Sequence, residues 1–425
     1  MSAAGEKPLQ EASAFDVVVA GAGMAGATFA LAAAHGGLSV ALIDPQPFEA
    51  QVAPTFDGRA SAIAYGSFRQ WRVLGLAERL EAQAERIEHI LVTDGRSPGA
   101  ASRPGWPAFL RFDAEEIADR AEGEPLGYML ENRLIRAALA EAVATSDIDL
   151  MAPASVTTVE RDAGGATVTL ADGRVLRAPL VVGAEGRGST VRTQAGIDVV
   201  GWDYAQSGVV ATVELERPHG GVAHELFLTG GPFAILPLTG QRASLVWTEP
   251  RRRAEALRTA SDDAVHAHLM RRFGEYVGDA RVVGPRFVYP LGLQLAERMV
   301  TDRVALLGDA AHAIHPLAGQ GLNLGLKGAA ALAEVIVDAR RLGEDIGSEL
   351  VLQRYSAWRR FDTMGLAVGT DLFNRLFSND LPGLRAVRAL GMAAVNRVGP
   401  ARRFFMEEAG GARGDLPRLL RGEAL

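Results

Sequence analysis

The sequence predicts an α/β protein: a discontinuous, Rossmann-like nucleotide-binding domain, an inserted and mostly antiparallel sheet, and helices at the C-terminal end. The first observation is a glycine-rich turn between an apolar strand and an alanine-rich helix in residues 17–34. The second is a series of short strand patterns between residues 155 and 290. The third is a second apolar strand and small-residue turn at residues 303–312. Because the two turns lie so far apart in the chain, the sheet must interrupt the domain that they build.

The first element has the order strand, turn, helix, strand, and its turn follows the pattern G-x-G-x-x-G. Gly21 permits the tight turn, Gly23 lets the backbone approach a pyrophosphate, and Gly26 allows the helix to pack closely on the strand. The N-terminus of the helix offers free N–H groups to the phosphates. Asp44, at the end of the second strand, can accept hydrogen bonds from a ribose diol. This pattern predicts FAD or NAD rather than NADP.

A transmembrane helix is the alternative for residues 17–34, because they carry no charge and have roughly the minimum length for crossing a bilayer. A β-branched run that breaks into a glycine turn before an alanine-rich helix favours the βαβ unit instead. The first residues include Glu6, Lys7 and Glu11 and lack the basic region and apolar core of a secretory signal. We expect a cytoplasmic protein, with peripheral contact to the inner face of the membrane left open.

Composition limits the chemistry of the chain. Its 425 residues, 48% of them hydrophobic, are enough for two or three structural units. The absence of cysteine excludes disulfides, thiolate nucleophiles, cysteine-ligated zinc and iron–sulfur clusters. The net charge of -7 argues against a nucleic-acid partner. Any redox chemistry must therefore come from a bound cofactor.

The elements after the first turn can be predicted in chain order. Amphipathic helices cover about residues 68–85 and 132–144, and a loop rich in Gly, Pro and Ser lies between them at residues 94–107. Alternating strands follow at residues 156–159 and 166–170, with a third strand after an Asp-Gly turn. They predict a β-meander after the first helical region.

The central block adds a separate sheet. Strand patterns cover residues 208–215, 223–228, 233–238 and 243–247, and a charged helix follows near residues 262–273. After residue 328 the pattern is helical.

Three segments read together carry a family resemblance: the Gly21 turn, residues 181–192 (VVGAEGRGSTVR) and residues 308–323 (GDAAHAIHPLAGQGLN). They resemble the FAD-dependent aromatic hydroxylases, the single-component flavin monooxygenases. In that family the first segment holds the ADP pyrophosphate, the second bridges the flavin and the passing nicotinamide nucleotide, and the third binds the ribityl chain. Glu185 stands where the family usually has the shorter Asp.

Further motifs narrow the resemblance to the ubiquinone-biosynthesis hydroxylases of the UbiH type, over about residues 15–400. They are Asp57–Ile63, Glu131–Arg133, Gly201–Tyr204, Pro232–Leu238 and His312–Asn323. The resemblance implies a glutathione-reductase-like, three-layer ββα FAD-binding domain. The predicted boundaries are 1–75, 105–200 and 286–350 for the FAD-binding domain, 76–104 and 201–285 for the substrate-binding domain, and 351–425 for the C-terminal helical region.

The resemblance also implies roles for single residues. Asp309 would bind the ribityl hydroxyls, Arg59, Asn132 and Arg133 would contact the phosphate–ribose region, and Val156 would touch the adenine. The helix that begins at about Leu322 would stabilise negative charge on the pyrimidine side of the reduced ring. The complete set of predicted cofactor-binding residues is Gly21, Gly23, Met24, Ala25, Gly26, Asp44, Arg59, Asn132, Arg133, Val156, Glu185, Gly308, Asp309, Pro316, Gly319, Gln320, Gly321, Leu322 and Asn323. The candidates for the substrate pocket are Phe233, Leu236, Pro237, Pro316 and Leu317.

The activity that the resemblance implies is hydroxylation of the aromatic ring of a polyprenylated phenol in ubiquinone biosynthesis. NADH or NADPH would reduce the flavin, and O2 would add at its C4a atom to form the hydroperoxide that transfers the hydroxyl group. A membrane surface or a complex of ubiquinone biosynthesis would be the partner. The alternatives are a hydroxylase or epoxidase of another aromatic or isoprenoid substrate, and a non-catalytic escort of prenylated proteins. The intact Gly21 turn and Gly308-Asp309 oppose the escort, and the missing W-x-W-x-I-P motif opposes a flavin halogenase.

Several other side chains allow a simpler interpretation. His312 and His315 lack the third ligand of a metal site, so no metal is predicted. Trp202, Phe233 and Trp247 either line an aromatic cavity or belong to the core. The C-terminal pattern of Leu, Phe and Arg from residue 366 to residue 403 fits a helix that packs on the protein or lies on a membrane.

Overall fold

The computed structural model describes the following residues: 13–53, 58–93, 110–116, 123–228, 230–273, 278–315, 319–377, 410–411 and 414–425. Of residues 273 and 373–377 only the backbone is described. The predicted loop at residues 94–107, the motif residue Asp57 and the pocket candidates Pro316 and Leu317 lie outside the described residues.

The strands are numbered in chain order. They are β1 (Ser13–Ala14), β2 (Val17–Ala20), β3 (Val40–Ile43), β4 (Ala60–Ala64), β5 (Glu85–Ile87), β6 (His89–Thr93), β7 (Leu110–Asp113), β8 (Gly127–Glu131), β9 (Asp149–Met151), β10 (Val156–Asp162), β11 (Gly165–Leu170), β12 (Val175–Ala178), β13 (Leu180–Gly183), β14 (Val199–Leu215), β15 (Val222–Leu228), β16 (Gly231–Leu238), β17 (Arg242–Pro250), β18 (Ala280–Ala296), β19 (Val300–Thr301), β20 (Val304–Leu306) and β21 (His312–Ala313).

The helices are numbered in the same way. They are α1 (Met24–His35), α2 (Phe48–Gln51), α3 (Tyr65–Val73), α4 (Ala77–Glu81), α5 (Asn132–Ala144), α6 (Thr190–Gln194), α7 (Arg251–Thr259), α8 (Asp262–Phe273), α9 (Gln320–Arg341) and α10 (Glu349–Phe377). Short 3₁₀ turns cover Ala114–Glu116 and Gly308–Ala310, and a last helical turn covers Arg418–Arg421.

A six-stranded sheet forms the nucleotide-binding part of the molecule, with the strand order β19-β20-β13-β2-β3-β9. All neighbours pair in parallel except β19 and β20. Every residue of β2, β3 and β13 is buried, as expected of a parallel sheet covered on both faces. Its strands come from three separate stretches of the chain, so the predicted discontinuity is confirmed.

The layers on the two faces of this sheet differ. Helix α1 packs on β2 and β3 and contacts α5 and α9. A four-stranded sheet with the order β1-β12-β11-β10 lies against β2 and β13. The result is the predicted arrangement of two sheets and one helical layer.

An eight-stranded sheet forms the second part, with the strand order β21-β18-β14-β17-β16-β15-β6-β7. It is antiparallel except for the pairing of β15 with β6. Helices α7 and α8 pack on one face, where Phe233 and Trp247 meet Leu257 and Leu269 in a buried cluster. The other face borders a large cavity. The α/β class with an inserted, mostly antiparallel sheet is therefore confirmed.

Two strands lie differently from the predicted domain segments. Strand β7 pairs with β6 in the eight-stranded sheet, although it falls within the segment 105–200. Strand β18 runs across the predicted boundary at residue 286. The hydrogen bonds of a sheet join segments that are distant in sequence, so changes in composition along the chain do not reveal them.

The predicted helix at residues 68–85 is wrong in its extent. Helix α3 ends at Val73, α4 covers only Ala77–Glu81, and strand β5 starts at Glu85. Gly75 lies between the two helices with a φ of +74°, a left-handed conformation that ends an α-helix. The helices predicted at residues 132–144 and 262–273 have the same bounds in the structure.

A three-stranded sheet with the order β4-β8-β5 joins the two parts. At the C-terminal end, α10 carries the first residues of the predicted amphipathic pattern, and residues 378–409 lie outside the described ranges. Within the described residues, no helix combines the length and the apolar character needed to cross a membrane.

Candidate active site

The glycine turn between β2 and α1 leaves no space for two side chains. Gly21 has a φ of +102°, and a Cβ atom there would lie 2.4 Å from the carbonyl oxygen of Ala184. A Cβ atom on Gly26 would lie 2.0 Å from the carbonyl oxygen of Gly21. Both contacts are with backbone atoms, so only glycine fits at these positions. The turn thus holds the start of α1 against the end of β13.

Gly23 plays a different part, because it faces the cavity. Apart from its immediate chain neighbours, no described residue has an atom within 4 Å of the place that a Cβ atom on Gly23 would take. Gly23 is the N-cap of α1, and no side chain caps the N–H groups of the first turn. Met24 and Ala25 in that turn also line the cavity. The free N–H groups and the positive end of the helix dipole make this a site for phosphate.

One cavity of about 1360 Å³ connects the predicted segments. Its walls are the Gly21 turn, residues between 184 and 190, residues between 308 and 325, and one face of the eight-stranded sheet. This volume exceeds the roughly 300–1,000 Å³ of a usual small-molecule pocket. The cavity therefore has space for an extended dinucleotide and a second molecule.

Asp44 lines the cavity beside the glycine turn. Its carboxylate accepts hydrogen bonds from the N–H of Ala22 at 2.8 Å, the N–H of Gln46 at 2.9 Å and the side chain of Gln51 at 3.1 Å. Burial raises the pKa of Asp44, and these backbone hydrogen bonds and the charge of Arg136 oppose that effect. Three donors fix the orientation of the carboxylate, so it is already in place for a ribose diol.

The cavity continues from Asp44 to the predicted adenine contact. The carbonyl oxygen of Asp44 accepts a hydrogen bond from the N–H of Ala154 at 2.7 Å, which holds Val156 at the cavity wall. Arg136 is a further lining residue that the motifs did not predict. It lies one turn after Asn132 on α5 and so shares its face, a spacing that could have revealed it.

Asn132 and Arg59 lie together at the cavity wall. The N–H of Asn132 donates to the carbonyl oxygen of Arg59 at 2.9 Å, and the side chain of Asn132 accepts from the hydroxyl of Ser61 at 2.7 Å. The guanidinium of Arg59 stacks over the ring of Tyr289 at 4.6 Å from its centroid. Both residues therefore face the same cavity as the Gly21 turn, and their contact with the phosphate–ribose region stays a prediction.

Arg133 does not line the cavity. Its Nε atom donates to the carboxylate of Glu131 at 2.7 Å. Successive helical residues point in directions about 100° apart, so Arg133 cannot share the face of Asn132. The expectation that Arg133 belongs to the site is corrected.

Glu185 and Arg187 both line the cavity. Oε2 of Glu185 accepts from the hydroxyl of Ser189 at 2.7 Å and from the N–H of Val191 at 2.9 Å. The longer side chain thus caps the first turn of α6, where negative charge is stabilising. Arg187, which was not singled out from the sequence, donates to the carbonyl oxygen of Gly292 at 3.3 Å.

Asp309 enters the cavity from the 3₁₀ turn that follows β20. Gly308 before it has a φ of +58°, a conformation that favours glycine. The side chain of Asp309 is exposed toward the cavity. Burial by the surrounding protein raises the pKa of Asp309, and the positive charges of Arg187 and Arg59 oppose this effect. An acceptor at this place can hydrogen-bond to the hydroxyl groups of a ribityl chain.

Helix α9 begins at Gln320, slightly earlier than predicted. Its N-cap is Gly319, with a φ of +65° and no side-chain cap. Gln320, Gly321 and Leu322 all line the cavity. The uncapped N-terminus of this long helix thus opens onto the cavity.

Asn323 fixes the start of α9 in position. Its side-chain amide donates to the carbonyl oxygen of Ala62 at 2.8 Å and accepts from the N–H of Ala64 at 2.9 Å. These two hydrogen bonds to the backbone of β4 resemble those that a neighbouring strand would make, and they join α9 to β4. Asn323 lines the cavity and also serves as a structural link.

The expectation that Phe233 and Pro237 line the pocket is corrected. Phe233 is fully buried and packs edge-to-face on Trp247 with ring centroids 5.5 Å apart. Alternate residues of β16 point to opposite faces, so Leu236 lines the cavity whereas Phe233 and Pro237 do not. Trp202 lies elsewhere and donates to Asp371 at 3.3 Å.

Both histidines after Asp309 are buried. Burial lowers the pKa of His312 and that of His315 to about 4 in each case, so both rings are neutral at pH 7. His315 lines the cavity and lies edge-on to Tyr204 with centroids 5.2 Å apart. No group of three or more His, Cys, Asp or Glu in the described part of the chain could hold a metal ion.

The residues present fit FAD. The open side of Gly23 and the uncapped start of α1 suit a pyrophosphate, Asp44 suits a ribose, and Asp309 suits a ribityl chain. The start of α9 suits the electron-rich side of a flavin ring.

Residues 14–362 match the family model described as FAD binding domain. The chain belongs to the FAD-binding domain family. FAD is therefore the cofactor of this flavoprotein.

Two curated relatives confirm the predicted resemblance. The flavoprotein is 45% identical to "Ubiquinone hydroxylase UbiL" of Rhodospirillum rubrum, over 96% of this chain and 93% of the relative. It is 36% identical to "3-demethoxyubiquinol 3-hydroxylase" of Escherichia coli, over 93% of this chain and 98% of the relative. Among solved structures, p-nitrophenol 4-monooxygenase PnpA of Pseudomonas putida shares the fold, with a TM-score of 0.76, 21% identity, and coverage of 95% and 100% of the two chains.

We predict that Gly21→Ala loses FAD and stability. The added methyl group meets backbone atoms of Ala184 in a left-handed conformation, a strain of about 1–3 kcal/mol. Gly365→Ala is the matched control, because outside its own helix no described residue has an atom within 4 Å of the added Cβ. Alanine at this position of α10 should stabilise by about 0.5–1 kcal/mol. Flavin absorbance measures the FAD content of each variant, and urea unfolding measures its stability. Wild-type FAD content in Gly21→Ala would contradict the expectation.

A second pair of variants tests the two faces of β16. Phe233→Ala should lower the free energy of unfolding by about 3–5 kcal/mol, because it leaves a cavity in the packed cluster with Trp247. Leu236→Ala should cost clearly less, because Leu236 is half-buried at the cavity. Urea denaturation of the FAD-loaded proteins measures the difference. The reverse order of stability would show that the assigned faces are wrong.

Proposed function

We propose that this chain hydroxylates the aromatic ring of a polyprenylated phenol in ubiquinone biosynthesis, with NADH or NADPH as reductant and O2 as co-substrate. The observation that carries the proposal is the 45% identity with a ubiquinone hydroxylase over 96% of the chain. The cavity also supports the proposal, because it is larger than a dinucleotide alone requires.

Bound FAD would supply the redox chemistry, which is hydride uptake from the nicotinamide and delivery of oxygen from O2 to the ring. The protein contributes binding and electrostatics. The first turn of α1 neutralises part of the pyrophosphate charge, and Asp309 orients the ribityl chain through its hydroxyl groups. The N–H groups at the start of α9, held by Asn323, stabilise negative charge on the pyrimidine side.

The sheet wall supports an apolar aromatic substrate. Ile90, Val92, Phe227, Leu236 and Val246 all line this side of the cavity. Such a surface binds a ring with an isoprenoid tail and keeps water from the site of oxygen transfer.

The nicotinamide nucleotide is proposed to bind only briefly. The sequence has no second G-x-G-x-x-G after a strand, which supports a reductant that leaves after hydride transfer. Arg187, in the segment that bridges flavin and nicotinamide in the family, lies at the cavity wall beside Glu185.

Peripheral contact with the membrane, either alone or within a complex of ubiquinone biosynthesis, belongs to the same proposal, because a polyprenyl tail is held in lipid. Four exposed apolar side chains of α10 support it: Phe361, Met364, Val368 and Leu372. Their spacing places them on one face of the helix.

Product analysis tests the activity. The purified FAD-loaded protein should oxidise NADH or NADPH faster with 2-geranylphenol and form a product with one additional oxygen atom.

A substitution at Asp309 tests the binding of FAD. Asp309→Ala should bind FAD about ten- to hundredfold more weakly, because it loses hydrogen bonds to a charged group. Asp302→Ala is the control, since Asp302 lies on the surface away from the cavity lining. A colourless protein that takes up no FAD would favour the escort alternative instead.

Liposome flotation tests the membrane contact. The wild-type protein should float with liposomes, and the double variant Phe361→Glu/Val368→Glu should float several-fold less, because charge on the apolar face is costly to bury in lipid. Gln353→Glu adds one negative charge at an exposed position of the same helix, outside the group of four apolar side chains, and should float like wild type. Wild-type protein that stays wholly in the soluble fraction would contradict the membrane contact.

A further inference from the structure

Glu225 is an acidic residue on the apolar wall of the cavity. On the neighbouring strands it pairs in register with Val92 of β6 and Ala234 of β16. The same row continues through Val246 of β17, which pairs with Ala234. The neighbours of Glu225 across the sheet are therefore all apolar.

The residues two positions away along β15 share this face with Glu225. They are Ala223 and Phe227, and both line the cavity. Strand residues alternate between faces, so the carboxyl of Glu225 points away from the buried cluster around Phe233 and toward the cavity. It is an acidic group surrounded by apolar side chains.

Burial is the sole influence found on the Glu225 carboxyl among the described residues, with no hydrogen bond or charge to offset it. Burial raises the pKa of Glu225 to about 8, so the side chain is mostly a neutral carboxylic acid at pH 7. A buried polar group without a partner costs free energy that an apolar residue would avoid.

A neutral carboxylic acid offers one O–H donor and a carbonyl acceptor. A hydroxyl group on an aromatic ring can engage both, since it donates one hydrogen bond and accepts another. A charged ligand group would lose its hydration against the apolar row of Val92, Ala234 and Val246. The chemistry of the wall thus favours a neutral hydroxyl.

We propose that Glu225 is the polar anchor that hydrogen-bonds the ring hydroxyl of the aromatic substrate and so fixes which edge of the ring faces the flavin. This inference rests on the proposed function and names the contact that would orient the phenol. One hydrogen-bonding group on an otherwise apolar wall gives selectivity, because a ring without the hydroxyl leaves the carboxyl unpaired.

Two ligands and two substitutions test the anchor. The ligands are 2-geranylphenol and its methyl ether, 2-geranylanisole, and binding to the FAD-loaded protein is measured at pH 7 from flavin fluorescence. Glu225→Leu should weaken binding of the phenol about ten- to hundredfold and change binding of the ether less than about threefold. Glu225→Gln keeps a donor and an acceptor, so it should bind the phenol within about threefold of wild type.

Controls separate binding from folding. Glu160→Gln changes an exposed glutamate on a strand of another sheet and should leave both affinities unchanged. Glu225→Leu should unfold at the same urea concentration as wild type or a higher one, because it removes a carboxyl from an apolar wall on which no described residue offsets its burial. If Glu225→Leu fails to fold, two other measurements test the anchor: the affinity of Glu225→Gln for the phenol, and the ratio of phenol to ether affinity in the wild type. A ratio near one overturns the anchor.

The outcomes also distinguish this inference from the proposed function. Equal affinity of wild type and Glu225→Leu for the phenol overturns the anchor, as does Glu225→Gln binding as weakly as Glu225→Leu. If wild type hydroxylates the phenol in either case, the proposed function stands and only the anchor fails. If wild type binds the phenol through Glu225 but forms no hydroxylated product, the anchor stands and the proposed function fails.

Discussion

The close backbone contact between the Gly21 turn and Ala184 is the constraint on which the site depends. β2 and β13 are parallel neighbours, so both chains leave the sheet at the same edge and meet there. A Cβ atom at residue 21 or 26 would press on backbone within 2.4 Å. Without side chains at these positions, α1 can start directly at the sheet edge with its uncapped N–H groups toward the cavity.

The far end of the cavity is fixed in a related way. Helix α9 also begins at a glycine in a left-handed conformation and without a side-chain cap. Here the side chain of Asn323 holds the helix, through hydrogen bonds to the backbone of β4 on both sides of Ile63. Two helix N-termini, at the starts of α1 and α9, thus face the same cavity and give it positive electrostatic potential at two separate points. The carboxylates of Asp44 and Asp309 line the same cavity and can accept hydrogen bonds from the hydroxyl groups of a nucleotide cofactor.

The cofactor-site predictions rest largely on chemistry that is local in the chain. A glycine turn, an acid at a strand end and a Gly-Asp turn each carry their function within a few residues, as at Gly21, Asp44 and Asp309. The three-layer fold followed from the family resemblance that these motifs carry. The break at Gly75 was missed because the amphipathic pattern continues across it, while only the backbone conformation shows that the helix ends.

The substrate side was harder to predict, because it depends on which face of a strand meets the cavity. Moving one residue along a strand moves the side chain from the face that meets the core to the face that meets the cavity. This explains why Leu236 belongs to the cavity wall while Phe233 belongs to the core. Arg136 lies one turn after Asn132 and Arg187 lies within the segment 181–192, but only the placement of these segments in the fold brings both side chains to the cavity. Glu225 follows the same rule: its significance depends on the apolar residues of the strands beside it.

The most direct test of this account is a crystal structure of the FAD-loaded protein. The pyrophosphate should accept hydrogen bonds from the N–H groups at the start of α1, the ribityl chain should lie on Asp309, and the flavin ring should lie at the start of α9. FAD bound at any surface that does not join these three segments would contradict the account.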